Sequence, residues 1–333
     1  VLRGDKPGPT IAWRADIDAL PIEENLDLPF KSEHAGVMHA CGHDGHTAVA
    51  LSLAELLAAR RKDLPGTAVF LFQPAEETFG GASRMIAEGA LENPHVDKVF
   101  GLHLTTMLPA GQIACRPGPL AASADFFDIE VKGFGGHGAF PHLSIDPITV
   151  AAHIVVGMQD LVSREIAVQE TAVMTVGQIS GGNKHNIIPE TALLRGSIRA
   201  FSPTVRDQLV ERLSSYASRM AQAYRAEARM TLVGEGTPAV VNHEAEAAFV
   251  HACACEHLGA GQVADLKPTM GSDDMALFLE ARPGAYFWSG VAPRGKEAMP
   301  HHHPGFEMEE GGLDNALRLA TAVMLEALEQ PVR

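Results

Sequence analysis

The sequence predicts an α/β protein with a mixed, mostly parallel sheet covered by helices and an α+β domain inserted into it. In the first third of the chain, short apolar strands alternate with amphipathic helices. At about Pro117 this pattern gives way to half-exposed strands, and it returns after Gly236. The chain has 333 residues, more than one domain usually has, so we expect about two domains.

The elements of the first third follow from apolar periodicity. Strands are predicted at residues 10–13, 67–72 and 98–104, where apolar side chains run together. Helices are predicted at residues 47–61 and 82–88, where apolar side chains recur at helical spacing. Strands that alternate with helices favour parallel pairing.

The middle of the chain has a different composition of elements. Strands are predicted at 125–131, 172–179 and 191–200, and helices at 147–162 and from Ser202 to about Tyr224, with serine as N-cap and Pro203 in the first turn. Beyond Gly236 we predict helices at 243–258 and 313–328 and a strand at 285–288. The predicted domains are therefore 1–117 with 235–333, and an inserted module at 118–234, a normal domain size.

Composition excludes several classes of protein. The formal net charge is −15 and no basic run is present, which argues against a nucleic-acid or acidic-membrane partner. No apolar stretch is long enough to cross a bilayer, and the first residues lack a signal-peptide core, so we expect a cytoplasmic protein. Four irregularly spaced cysteines do not make a disulfide framework.

Candidate metal ligands stand out at several points of the sequence. The run from His39 to His46 holds one thiol, one carboxylate and three imidazoles. Glu76 and Glu77 follow one apolar run, His103 closes another, and three histidines at 301–303 precede Pro304. Such groups at the ends of different strands are how an α/β enzyme assembles a metal site.

Two other hypotheses fit this run in isolation. Cys41 could be the nucleophile of a Cys-His thiol hydrolase, which needs no metal. The chain could also be a metal-stabilised binding protein without turnover, although Glu76 beside the candidate ligands argues against an inert site.

Eight motifs follow one another along the chain: RADIDALP (14–21), MHACGHDGHT (38–47), QPAEE (73–77), GLH (101–103), GFGGHGAFPH (133–142), NIIP (186–189), GSDD (271–274) and HHP (302–304). Taken in this order, they resemble the motifs of the M20 metallopeptidase superfamily, in its branch of hippurate hydrolases, N-acyl-L-amino-acid amidohydrolases and indole-acetyl-amino-acid hydrolases. The match covers nearly the whole chain. Members of the family usually carry a helical segment ahead of the first strand, so we expect this sequence to start inside a longer protein.

The resemblance implies a set of metal ligands. They are Cys41, His43, Glu77, His103 and His302, the last because the family ligand stands two positions before the proline. Sulfur, nitrogen and oxygen ligands together suit zinc, manganese, cobalt or nickel. Five ligands exceed the needs of one tetrahedral zinc, so we expect two ions that share a ligand. His301 and His303 are then expected outside the ligand set.

Other roles are implied for neighbouring residues. Glu76 corresponds to the general base, and Asp16 to an aspartate that orients a metal-binding side chain. Arg14 stands where other M20 enzymes have a ligand histidine. Asp44 either supports a ligand or caps the helix that begins near Thr47.

In the inserted module the resemblance implies an oxyanion-stabilising and substrate-binding role. His137 corresponds to a histidine that reaches the active site of the partner subunit, and Asn186 and Arg199 to substrate-binding residues. The alternatives are a histidine merely beside a tight turn and an arginine that is only a solvated surface charge.

The resemblance implies the following reaction. Water activated by the metals attacks the acyl carbonyl of an N-acyl amino acid, Glu76 carries the proton to the leaving amine, and His137 holds the oxyanion. The expected assembly is a homodimer through the inserted lid module. A dipeptidase or carboxypeptidase on the same scaffold is the alternative.

Overall fold

The computed structural model describes residues 1–330, and the strands and helices of this part follow in chain order. The strands are β1 (Leu2–Arg3), β2 (Lys6–Asp16), β3 (Pro65–Gln73), β4 (Lys98–Pro109), β5 (Ile113–Ala114), β6 (Gly118–Ala121), β7 (Ala124–Lys132), β8 (Gly136–His137), β9 (Ala172–Gly181), β10 (Ile187–Ile188), β11 (Thr191–Ala200), β12 (Glu227–Thr237), β13 (Val240–Asn242) and β14 (Gly284–Ala292). The helices are α1 (His43–Ala59), α2 (Gly81–Ala87), α3 (Pro147–Gly157), α4 (Gln159–Glu165), α5 (Pro203–Ala223), α6 (Glu244–His257), α7 (Met275–Ala281) and α8 (Gly311–Glu329).

The chain divides into two compact units. Among the described residues, the first comprises 1–120, 240–268 and 273–330, and the second 121–239 and 269–272. The four residues Thr269–Ser272 join the second unit because the Ala122 N–H donates to the carbonyls of Thr269 and Gly271. The predicted boundaries, at 117 and 235, do not anticipate this short return segment.

The first unit is built on a six-stranded sheet in the order β1-β3-β2-β4-β14-β5. The pairs β3/β2, β2/β4 and β4/β14 are parallel, while β1 and β5 pair antiparallel at the two edges. This is the mixed, mostly parallel sheet that the sequence predicts, and the fold class is confirmed.

The core of this unit follows from strand alternation. Ile11, Trp13 and Ala15 point to one face of β2, where they pack with apolar residues of α1, α6 and α8. Trp13 meets Phe287 edge to face, with ring centroids 6.1 Å apart. The intervening residues, which include Arg14 and Asp16, are buried on the opposite face. The polar network of the candidate site therefore lies inside the sheet unit.

The parallel strands end at one edge of the sheet. Asp16 lies beside Gln73, and Trp288 lies beside His103. The carboxyl ends of parallel strands are where open α/β sheets carry their sites, so this edge positions the candidate residues.

The second unit is a four-stranded antiparallel sheet in the order β12-β7-β11-β9. Helices α3 and α5 pack on the sheet through a separate apolar core. The Ser202 side chain accepts a hydrogen bond from the Val205 N–H at the start of α5, which confirms the predicted N-cap. The predicted single helix at 147–162 is two helices, α3 and α4, that meet at Met158. Strand β12 was not predicted.

One two-stranded pair matters for the site of this unit. β8 and β10 pair antiparallel, with His137 opposite Ile187.

Among residues 1–330, no helix is long and apolar enough to cross a membrane.

Candidate functional site

The predicted metal ligands of the first unit meet around the thiol of Cys41. Its Sγ lies 3.6 Å from His103 Nε2 and 3.8 Å from His301 Nδ1. The ligand atoms of Cys41, His43 and Glu77 lie within 4.8 Å of one another, and so do those of Cys41, His103 and His301. Two groups of three candidate ligands thus share one sulfur.

Gly42 makes this arrangement possible at the start of α1. It has φ 82°, a left-handed conformation that favours glycine, and a Cβ there would lie 3.2 Å from Met308 Sδ. The chain therefore turns directly from Cys41 into the helix, and His43 is its first residue. The helix begins four residues earlier than predicted.

Two of the predicted histidine ligands are oriented by backbone carbonyls. His43 Nδ1 lies 3.0 Å from the Asp18 carbonyl oxygen, and His103 Nδ1 lies 2.7 Å from the Leu104 carbonyl oxygen. A carbonyl only accepts, so each Nδ1 carries the proton and donates. In the neutral form of each ring, Nε2 is then left with a lone pair, the usual arrangement of a metal-binding histidine.

His46 has a different role, which the sequence did not reveal. Its Nδ1 lies 2.5 Å from Asp16 Oδ1, and its Nε2 accepts the Leu104 N–H at 2.8 Å. Both nitrogens of His46 are hydrogen-bonded, so the ring connects Asp16 of β2 to Leu104 of β4, next to His103. The only sequence signal was its position three residues after His43 in a helix.

The chemistry of the cluster fits a divalent transition metal. The buried His43 Nε2 has no hydrogen-bond partner among the described residues, although it lies 4.0 Å from Glu77 Oε1. Burial and the charges of Glu77, Glu76 and Asp16 raise the pKa of the Cys41 thiol well above its usual range. Without a cation this thiol keeps its proton, which argues against a metal-free thiol nucleophile, whereas a bound cation would stabilise the thiolate.

The triple histidine reaches the cluster at two points. His302 Nε2 lies 3.3 Å from Glu77 Oε1, which raises the pKa of His302, and half of its side chain is exposed. The His302 N–H donates to the Ala40 carbonyl at 2.8 Å, which fixes the loop beside Cys41. The neighbouring His301 also enters the cluster, although the sequence placed it outside the ligand set. Burial lowers the pKa of His301 to about 4.

Glu76 lies next to the cluster, in a separate acidic group with Asp273 and Asp274. It is 5% exposed. Burial, followed by the charge of Asp273, raises the pKa of Glu76 well above its usual range. Such a carboxyl can accept and return a proton near neutral pH.

A buried guanidinium connects these groups. Arg14 donates through Nε to Gln73 at 2.7 Å, through Nη1 to Asp16 at 2.8 Å, and through Nη2 to Asp274 at 3.0 Å. It also forms an ion pair with Asp273 at 3.1 Å. Asp16 in turn lies 3.6 Å from His43 Nε2. Arg14 Nη1 also donates to the Tyr286 hydroxyl at 3.1 Å. Arg14 therefore holds the residues around the candidate ligands; its motif was visible in the sequence but its partners, up to 272 residues away, were not.

Asp44 lies in the first turn of α1 and is exposed. The proposal that it caps the helix is wrong, because the N-cap is Gly42 and no side chain makes the cap hydrogen bond. The Asp44 carboxylate accepts the Gly45 N–H at 2.9 Å.

In the second unit the structure brings His137 and Asn186 together. Both line a cavity of about 830 Å³, and the Gly138 N–H donates to the Asn186 carbonyl at 2.9 Å. His137 Nδ1 accepts the Ala139 N–H at 3.0 Å. The neutral ring therefore carries its proton on Nε2, which can donate to an anionic ligand.

Arg199 is not among the residues that line this cavity. It is half-buried, and its Nη1 donates to the Met270 carbonyl at 2.8 Å and to Ser272 Oγ at 3.3 Å. Burial lowers the pKa of Arg199. The surface-charge alternative is therefore wrong for this side chain.

Comparisons with known proteins agree with the motifs. Residues 12–330 match the peptidase family M20/M25/M40. The N-acetyl-L-cysteine deacetylase of Bacillus subtilis is 39% identical over 95% of this chain and 74% of its own length. The IAA-amino acid hydrolase ILR1-like 4 of Arabidopsis thaliana is 37% identical over 97% of this chain and 75% of its own.

A solved structure is also similar. The Bacillus subtilis YXEP protein, described as a dinuclear metal-binding peptidase of family M20, is 36% identical and has a TM-score of 0.84. The alignment covers 98% of this chain and 84% of that protein.

Proposed function

The chain belongs to peptidase family M20/M25/M40, and on that premise we propose that it cleaves the amide bond of N-acyl-L-amino acids. The products are a carboxylic acid and a free amino acid. The observation that carries the proposal is the arrangement around Cys41: two groups of ligands share one thiol, and the buried Glu76 stands beside them.

The proposed metal-binding residues are Cys41, His43, Glu77, His103 and His302. They would hold two divalent transition-metal ions, zinc, manganese, cobalt or nickel, whose chemistry is Lewis-acid activation of water and of an amide carbonyl. A dinuclear centre is what the description of the YXEP protein states for that relative.

Glu76 is the proposed general base. It takes the proton of the attacking water and delivers it to the leaving amine, and its buried position next to Asp273 gives it the raised pKa that both steps need. Arg14, Asp16 and His46 position the residues around it through the hydrogen bonds described above.

His137 is the proposed donor to the oxyanion. The Nε2–H of its neutral ring is suited to this role, because Nδ1 is occupied by the Ala139 N–H. Asn186 lies beside it and is a proposed substrate contact. Arg199 is the proposed contact for the substrate carboxylate, with one nitrogen already used by Met270 and Ser272.

The proposed assembly is a homodimer formed by residues 118–234 acting as a lid and dimerisation domain. The strands at the two edges of the sheet, β9 and β12, carry mostly exposed residues, which leaves backbone groups for pairing with a second copy. A cytoplasmic location stays a prediction.

The names of two relatives support the substrate class, since one deacetylates N-acetyl-L-cysteine and the other hydrolyses IAA-amino acid conjugates. A dipeptidase or carboxypeptidase is the second candidate, because the similar YXEP protein is described as a peptidase. In both reactions an amide next to an amino-acid carboxylate is cleaved.

The test is a product-release assay on the metal-loaded protein with N-acetyl, N-benzoyl and indole-acetyl amino acids, with dipeptides alongside. We expect turnover of at least one N-acyl amino acid, loss of turnover on chelation, and recovery with zinc, manganese, cobalt or nickel. Faster cleavage of the dipeptides favours the peptidase. Full turnover of the metal-free protein contradicts both candidates.

A further inference from the structure

We propose that His301 is a further metal ligand, which completes a Cys41–His103–His301 group on one side of the shared thiol. This inference rests on the proposed two-metal site. It adds a residue to the five implied ligands and divides the adjacent His301 and His302 between the two sides of Cys41.

The distances around Cys41 Sγ are those of a metal site. His103 Nε2 lies 3.6 Å and His301 Nδ1 lies 3.8 Å from Cys41 Sγ, and the three ligand atoms lie within 4.8 Å of one another. In a tetrahedral zinc site with Zn–S near 2.3 Å and Zn–N near 2.0 Å, sulfur and nitrogen lie about 3.5 Å apart. Both observed separations are close to that edge length.

The His301 ring is held in place by its neighbours without a cation. It stacks on His103 with centroids 5.2 Å apart and planes at 13°, and Phe306 packs edge-on against it at 5.2 Å. The backbone of the next residue is tied to Ala40. The ring needs little rearrangement to bind a metal, which favours affinity.

The two ring nitrogens of His301 lack strong hydrogen-bond partners. Within residues 1–330, Nε2 is buried without a hydrogen-bond partner, and the hydrogen-bond contact recorded for Nδ1 is to the Cys41 sulfur. Sulfur is a weak hydrogen-bond partner, so burial of this ring is poorly compensated. A metal ion at Nδ1 replaces this weak sulfur contact with a strong bond, while Nε2 keeps the proton of the neutral ring.

The neighbouring histidines behave differently. His302 is directed at Glu77, on the other ligand group, with Nε2 3.3 Å from the carboxylate. His303 is exposed, and its Nδ1 accepts the Gly305 N–H at 3.0 Å. Of the three histidines, only His301 meets both Cys41 and His103.

The experiment measures metal binding rather than turnover. Metal-free protein is titrated with Zn²⁺ in competition with a chromophoric chelator, and with Co²⁺ by absorption spectroscopy. The variants are His301→Ala and His301→Gln, with His303→Ala as the matched control. Glutamine can still donate a hydrogen bond to Cys41 but is a poor ligand for these metals, so it separates the two roles.

We expect the wild type to bind two metals, and His303→Ala to bind the same two metals with the affinities of the wild type. Both His301 variants should bind one metal as wild type does and the other at least about tenfold more weakly, the scale on which loss of even an outer metal-supporting partner acts. The Co²⁺ spectrum should keep its thiolate band, because Cys41 remains, but lose intensity from the second site.

Two results would overturn the proposal, and they differ from failure of the proposed function. If both His301 variants bind two metals with wild-type affinity, His301 only packs against His103. If glutamine restores what alanine loses, the contact is a hydrogen bond to Cys41. Absence of metal binding by the wild type would contradict the proposed function itself.

Discussion

The two units hold their candidate histidines in opposite ways. In the first unit His43, His46 and His103 are buried, and each ring is anchored by at least one backbone group or carboxylate. In the second unit His137 is exposed on a short strand between glycines, and one backbone N–H sets its tautomer. The first region is ordered by a buried network that also supports the fold. The second positions its donor with little cost to stability, so substitutions should separate activity from stability.

The largest expected effect is on turnover, in the buried region. Glu76→Gln should keep two metals but lower kcat by about 10²- to 10⁴-fold, because the proton acceptor is lost. Glu77→Gln is the matched neighbour and should lower metal content as well. Metal analysis and steady-state kinetics on both variants check the assignment. Equal metal content in both, with an active Glu76→Gln, would contradict it.

The next effect is on stability. Arg14→Met should lower the free energy of unfolding by about 3 to 5 kcal/mol, because the buried carboxylates of Asp16, Asp273 and Asp274 lose their cation. Arg14→Lys, which keeps the charge but not the planar set of donors, should fall in between. Denaturant unfolding of the metal-free proteins measures both. A change below about 1 kcal/mol for Arg14→Met would show that the network does not stabilise the fold.

His137→Ala should show the reverse pattern. We expect a loss of turnover equivalent to about 3 to 4 kcal/mol, as for other oxyanion donors, and less than about 0.5 kcal/mol of stability. His153→Ala, another exposed histidine of the same unit, serves as the control for both measurements.

Subunit exchange tests whether His137 acts across a dimer. A mixture of His137→Ala and Glu76→Gln should regain activity, because one site of a mixed dimer then has both groups intact. Mixed dimers that form without regaining activity would confine His137 to its own chain.

The smallest expected effect is a pH dependence of the buried network. Burial, followed by the charge of Asp273 against that of Arg14, raises the pKa of Asp274 to about 6. The folded protein then binds a proton between about pH 6 and pH 4 that the unfolded chain does not. This contribution to stability grows as the pH falls through 6 and is lost as the pH rises through it.

Asp274→Asn should remove that dependence. The difference in unfolding free energy between wild type and variant should change by up to about 3 kcal/mol from pH 7 to pH 4, measured by denaturant titration of metal-free protein. A difference that is constant with pH would show that Asp274 is ionised throughout.

Features that depend on residues close in sequence, or on apolar periodicity, could be predicted from the sequence. The proximity of Cys41 and His43 was predictable because they are close in sequence, and the entry of Glu77 and His103 into the same cluster because they follow apolar strands. The parallel sheet was predictable from apolar periodicity. Strand β12 was missed, although Ala228, Met230 and Leu232 alternate with polar residues. The strand comes directly after a long helix and contains Gly234 and Gly236, which in the sequence indicate the end of the inserted module.

Other features depend on contacts between distant residues. The partners of Arg14 come from three later segments, and no local pattern indicates that a guanidinium will be fully buried. The entry of both His301 and His302 into the cluster depends on the path of the loop, including the positive φ of His302. Proximity in the sequence to Pro304 could not decide between them.

The anchors of two imidazoles that we propose as metal ligands have a consequence for mutational robustness. His43 and His103 are oriented by the main-chain carbonyls of Asp18 and Leu104, and a main-chain carbonyl is present whatever side chain the residue carries. No single amino-acid replacement at Asp18 or Leu104 deletes these acceptors. The amide that Leu104 donates to His46 is lost only if proline replaces it. The orientation of His103 is thus encoded in the backbone path, whereas His43 Nδ1 also lies 3.3 Å from the Asp18 carboxylate and loses that second contact when Asp18 is replaced.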